Sequence, residues 1–294
     1  MTVLRLLTAM ALALAPVPAA LAQSGAGEAQ VIVPGSMLAQ EAPEVHAIVD
    51  AMGLYDILQI MSVEQTDAAA QLEGDMFPDR GGAAWQAVAA SINSAERLVR
   101  DFESALPVEE FDPATIADLT EFFTSDTGRR IAAGEVAARR AFLDPGVEER
   151  ANEIVAAMRA EGDPRLDSIS RFIEANSLVE RNVQGALNSN FAFFLGLSDG
   201  EAFAVEMPED LMIAEVWGQE AEIRATTIDW LFAFLVTAYS DLSEAEIDAY
   251  TALSQTDAGR VLNRALFSAF DVVFEEVSYE LGYAAGIFIA GEET

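Results

Sequence analysis

Asp112–Arg129 reads DPATIADLTEFFTSDTGR, and Ser243–Arg260, 131 residues further on, reads SEAEIDAYTALSQTDAGR. Both stretches encode the same local structure. Asp112 is an N-cap acid followed by a proline at the first helical position, and Ser243 with Glu246 forms a capping box. Apolar residues follow at Ile116, Leu119, Phe122 and Phe123 in one stretch and at Ile247, Tyr250 and Leu253 in the other. That spacing marks one buried face of a short helix. Ser125 and Thr256 then stand where a side-chain oxygen caps the next helix. Gly128 and Gly259 lie in its first turn. Glycine costs about 1 kcal/mol in a helix relative to alanine, so its presence there points to close approach of the preceding helix.

The correspondence extends upstream. Met76-Phe77-Pro78 falls near the register of Met207-Pro208, and residues 48–58 (IVDAMGLYDIL) are similar to residues 172–183 (FIEANSLVERNV). Helical periodicity runs through almost all of the chain after residue 42, and alternating β-branched runs are nearly absent. Asp144-Pro145 and Asp163-Pro164 mark further helix boundaries. The sequence therefore predicts an all-α protein of two tandem, related multi-helix units, an internal duplication spanning 43–162 and 163–294.

Phe122-Phe123-Thr-Ser125-Asp-Thr-Gly128-Arg129 resembles the aromatic-pair, serine, glycine and basic signature of exported bacterial proteins in the domain-of-unknown-function family 2059. The signature covers about 35 residues per copy. In the second copy Leu253-Ser254 stands in place of the aromatic pair and Thr256 in place of serine. The resemblance implies an all-helical, secreted or periplasmic protein. It carries over no catalytic residues.

Residues 1–22 read as a cleaved signal peptide. Arg5 supplies the positive end, Leu6 to Ala15 the apolar run, and Ala20-Leu21-Ala22 the small residues before a cut ahead of Gln23. Residues 23–42, rich in Gly, Pro, Gln and Ala, read as a flexible leader. The mature protein is thus expected in the periplasm or the medium. Ile228 to Tyr239 is its most apolar stretch, yet far shorter than the roughly twenty residues that cross a bilayer. No integral membrane span is expected.

Composition removes much enzymology. The 294 residues include one His, no Cys and no Lys, so all 16 bases are arginine. Thiol nucleophiles, iron–sulfur ligands, Schiff bases and P-loop lysines are excluded, and His46 is the only imidazole available to a triad or metal site. The formal net charge of -33 repels nucleic acid and anionic lipid.

The candidates for chemistry are correspondingly few. His46 lies between Glu44 and Asp50, with Asp50 within one helical turn. Glu109-Glu110, Glu148-Glu149 and Glu275-Glu276 are adjacent acids whose side chains diverge on a helix, whereas Glu276 and Glu280 share a face. Arg129, Arg130, Arg139 and Arg140 wrap around a helix instead of forming one anion-binding stripe. Phe191, Phe193, Phe194, Leu195 and Leu197, with Trp230, Phe232, Phe234 and Leu235, are core or the walls of a pocket for an apolar ligand. Gly282, Gly286 and Ala290 form a small-residue stripe for helix packing. No residue is assigned a catalytic, cofactor-binding or metal-ligating role. The reading is an exported, non-catalytic interaction or binding module of the bacterial envelope, its partner an unknown protein or a small apolar ligand. A carboxylate-dependent hydrolase and a carrier of an apolar ligand are the alternatives.

Overall fold

The computed structural model describes residues 36–203 and 207–291, so the expected signal peptide and most of the leader lie outside the described residues. Helices account for nearly all of what is described. In chain order they are α1 (Met37–Glu41), α2 (Pro43–Ala51), α3 (Leu54–Met76), α4 (Gly82–Ile92), α5 (Ala95–Ala105), α6 (Pro113–Phe123) and α7 (Asp126–Ala141). There follow α8 (Pro145–Glu161), α9 (Arg165–Ala175), α10 (Leu178–Asp199), α11 (Glu209–Trp217), α12 (Glu220–Ala238), α13 (Glu244–Ser254) and α14 (Asp257–Ala290). A single 3-10 turn at Val108–Glu110 joins α5 to α6.

The caps fall where the residue types dictate. Asp112 accepts from the Thr115 N–H at 2.7 Å, and Ser243 and Glu246 complete their capping box. Ser125 accepts from Gly128 N and Thr256 from Gly259 N, both at 3.0 Å. Each capping hydroxyl also donates back to the preceding helix, to the carbonyl of Phe122 at 2.6 Å and of Leu253 at 2.7 Å. The glycines are equally alike. A methyl group on Gly128 would meet the Phe122 oxygen at 2.1 Å, and one on Gly259 the Leu253 oxygen at 2.1 Å. The two corners share one geometry.

Upstream, Gly53 and Ser177 each take a left-handed conformation, with φ of 70° and 52°, just before α3 and α10. Packing follows the same order. α3 lies on α4, α5 and α7, as α10 lies on α11, α12 and α14; α2 packs on α6 as α9 packs on α13; α1 packs on α5 as α8 packs on α12. Several contacts cross between the halves: α7 on α12, and α14 on α3, α4, α5 and α6. Two of them, α7 on α12 and α5 on α14, are a matched pair. They correspond to each other when the halves are exchanged. The halves differ most in their last helix, 16 residues in α7 and 34 in α14.

The extra length of α14 runs along α10, and small residues make the contact. A side chain on Gly196 would strike the Tyr279 carbonyl at 2.1 Å, and one on Gly282 the Phe193 carbonyl at 2.2 Å. Gly286 faces Gly200. The small-residue stripe therefore packs internally. Farther along α14, Phe288 stacks on Phe77 and meets Trp85 edge-on.

The expected flexible leader, 23–42, ends earlier than its composition suggests. From Ser36 the chain is α1, with Leu38 buried. Glu103 holds it there, accepting from the Ser36 hydroxyl at 2.6 Å and from the N–H groups of Met37 and Leu38. The glycine and proline signals that read as a mobile segment lie at Gly25, Gly27, Pro34 and Gly35, outside the described residues.

Candidate functional site

Three helix corners and three long helices border an open cavity of about 280 Å³. Phe172 and Asn176 of α9, Leu178 of α10, Trp230, Leu231, Phe234 and Leu235 of α12, and Tyr250, Leu253 and Ser254 at the end of α13 form one side. α14 contributes Gly259 through Phe270. The first half adds Met52 and Leu54 at the α2–α3 joint and Glu135 on α7. Three of these residues have counterparts in the same register of the second half that also line the cavity: Met52 with Asn176, Leu54 with Leu178, and Glu135 with Leu266. The cavity thus sits where α2, α3 and α7 meet α9, α10 and α14.

The walls are largely apolar; Glu135 is their one charged residue, beside Asn176, Ser254 and Asn263. Its Oε1 accepts a 2.7 Å hydrogen bond from the Tyr239 hydroxyl, while Oε2 has no partner among the described residues. No arginine among the described residues forms an ion pair with this carboxyl. Burial pushes it up to about 7, against the opposing hydrogen bond from Tyr239. Tyr239 is itself pushed well above its ordinary range by burial and by the charge of Glu135, and Tyr250 likewise. Gly134 makes this placement possible. Its missing side chain lets the backbone of α7 approach the Ala238 carbonyl at the end of α12, where a Cβ would come within 2.2 Å.

Asn176 and Asn263 of the wall form a short amide chain. Asn176 donates to the Phe172 carbonyl, and Asn263 Nδ2 donates to Asn176 Oδ1 at 2.7 Å. These bonds fix the orientation of both amides and leave Asn263 Oδ1 buried without a donor. At the margin, Arg139 lies over Trp230 at 5.6 Å and Arg181 over Phe267 at 5.1 Å. Arg139 is ion-paired with Glu64.

The residues singled out in the sequence are dispersed. His46 is half-buried with its ring 5.4 Å from Tyr55, and no ion pair joins it to Asp50. Glu280 pairs with Arg97 through two hydrogen bonds, Glu110 with Arg264, and Glu275 accepts from Asn188. Glu148 is pushed up to about 7 by burial, with no hydrogen-bond partner among the described residues. Asp271 is pushed to about 6 by burial and the neighbouring Glu275. None of the shifted carboxyls faces another. Arg129 and Arg130 pair with Asp126 and Glu246. Among the described residues no group of three or more His, Asp and Glu is gathered to hold a metal ion. Nor is any helix long and apolar enough to cross a membrane.

Of the two apolar groups, only one reaches the cavity. Trp230, Phe234 and Leu235 line it, whereas Phe193, Phe194 and Leu197 are buried in the core on α10. Glu135 and Tyr239 were missed by sequence reasoning. A signal existed: Glu135 falls on the stripe of α7 that carries Ile131 and Ala138, both buried, so an acid interrupts an apolar face.

Residues 108–157 match the model of a family described as "Uncharacterized protein conserved in bacteria (DUF2059)". The matched segment runs from the 3-10 turn into α8 and includes the Ser125–Gly128 corner and Glu135. No curated protein and no solved structure gives a significant match to the chain.

Proposed function

We propose that the protein is a non-catalytic binding module whose ligand is a small, largely apolar molecule held in the cavity between α7, α9, α12, α13 and α14. The observation that carries this reading is a cavity of about 280 Å³ with aliphatic and aromatic walls and very few polar groups. Pockets of this kind, at the junction of structural units, are the usual form of small-molecule sites. The test is titration with the uncharged fluorophore N-phenyl-1-naphthylamine. Saturable enhancement at one site per chain is expected, lost in Leu266→Trp, whose indole occupies the cavity. Linear, non-saturating enhancement, or equal binding by a folded Leu266→Trp variant, would overturn the reading.

The module belongs, on this reading, to the periplasm or the medium. Support comes from the charge, apolar run and small-residue cleavage site within residues 1–22. Intact mass of the exported product should correspond to a start at Gln23 or within a few residues of it; retention of Met1 would sink the proposal. The recurrent caps, left-handed joints and packing order further support α1–α7 and α8–α14 as two copies of one ancestral unit. On this grouping the proposed boundary lies in the turn before Pro145.

A further inference from the structure

The binding reading leaves open what kind of apolar molecule the cavity takes, and the polar atoms in its wall narrow the answer. Glu135 sets a half-buried carboxyl in the wall of the largely apolar pocket, one oxygen occupied by the Tyr239 hydroxyl and the other with no protein donor among the described residues. Buried carboxylates are ordinarily matched by an arginine or by several N–H groups. Here the two arginines that lie over lining rings are turned to other partners, Arg139 to Glu64 and the Trp230 face, and Arg181 to the Phe267 face. On Asn263, also a wall residue, the buried Oδ1 is a further acceptor without a donor. Among the described residues no arginine side chain lines the wall.

We propose that the ligand is an apolar amine, its hydrocarbon or aromatic body against Leu235, Leu262, Leu266 and Phe270 and its ammonium on the free oxygen of Glu135. This inference rests on the binding reading above. An ammonium supplies both missing elements, an N–H donor for Oε2 and the counter-charge that lets the carboxyl ionise in an apolar setting. The chain's net charge of -33 adds a long-range attraction for cations and a repulsion for fatty acids and other anionic amphiphiles. A neutral alcohol satisfies the donor requirement without the charge, and a carboxylate satisfies neither when Glu135 is ionised.

The experiment is isothermal titration of the full-length exported protein at pH 7.5 with three probes sharing one ring system: 1-naphthylmethylamine, 1-naphthylmethanol and 1-naphthoic acid. The amine is expected to bind about tenfold or more tightly than the alcohol, and the acid most weakly. In Glu135→Gln the amine should fall to within about twofold of the wild-type alcohol affinity. Thermal melting monitors the fold of the variant, and the wild-type comparison decides the matter even if the variant does not fold. Equal affinity of amine and alcohol, or tighter binding of the acid, would overturn the amine assignment and leave the apolar cavity reading in place. Failure of all three probes together with N-phenyl-1-naphthylamine would remove both.

Discussion

Glu135 concentrates the residue-scale physics of this protein. Its carboxyl belongs to an ordinary range near 4.5 when unfolded and is raised to about 7 by burial in the folded chain. Between those values the folded state binds more protons than the unfolded state, so stability falls as pH rises through the window. The stability associated with the neutral carboxyl is complete below about 4.5 and is lost as pH passes about 7. Glu135→Gln removes this titration while keeping a side chain that can accept from Tyr239. Urea unfolding should therefore find the variant more stable than wild type at pH 8 and nearly equal to it at pH 5. Glu148, also raised to about 7 by burial, should leave a residual slope of the same sign in the variant. A difference between variant and wild type that is the same at both pH values would show that the carboxyl does not titrate in this range. Tyr239→Phe tests the pair from the other side: the Tyr239 hydrogen bond holds Glu135 down against burial, so its loss should raise the Glu135 midpoint, as read by carbon-detected NMR.

At the scale of elements, glycine decides how closely helices meet. Gly128→Ala and Gly259→Ala each gain helix propensity of about 1 kcal/mol. Each also drives a methyl group to 2.1 Å from a backbone oxygen of the preceding helix, an atom that cannot rotate away. Overpacking against backbone should win, with a net loss of about 1–3 kcal/mol in chemical denaturation. Gly74 is the control. It lies within α3 with nothing near its absent side chain, so Gly74→Ala should stabilise by about 0.5–1 kcal/mol. A neutral or stabilising Gly128→Ala would refute the close-approach account. The helix–turn–helix corners were legible because caps and glycines act within a few residues of chain. The 34 residues of α14 and its seat along α10 were legible only in part, since the Gly282–Gly286 stripe announces close packing without naming its partner.

The whole molecule carries 49 acids against 16 arginines. Folding brings these charges together, and the salt bridges that offset them are mostly exposed, worth about 0–1 kcal/mol each. Sodium chloride at about 0.15 M shortens the screening length to about 8 Å and weakens repulsion between separated carboxylates more than it weakens pairs in contact. Melting temperature should rise from low to moderate salt, and a flat or falling series would reject the repulsion argument. Calcium should add nothing beyond its ionic strength. The acids among the described residues are spread over many helices and converge on no common centre. Saturable stabilisation at micromolar calcium would overturn this expectation.

Sequence alone determined what depends on neighbours along the chain. Asp112, Ser125, Ser243 and Thr256 cap helices because their side-chain oxygens reach an N–H two or three residues away. The apolar periodicity of α6 and α13 fixes which face is buried. Tertiary structure decided which of the 49 acids is enclosed and what it meets. Glu135 and Tyr239 are 104 residues apart and join only because α7 and α12 pack at Gly134. Phe194 and Trp230 were equal candidates for a pocket wall, yet the packing of α10 along α14 takes Phe194 into the core and leaves Trp230 beside the cavity. A cavity is the space that several helices fail to fill, and that depends on their mutual distances and angles, which no local pattern encodes.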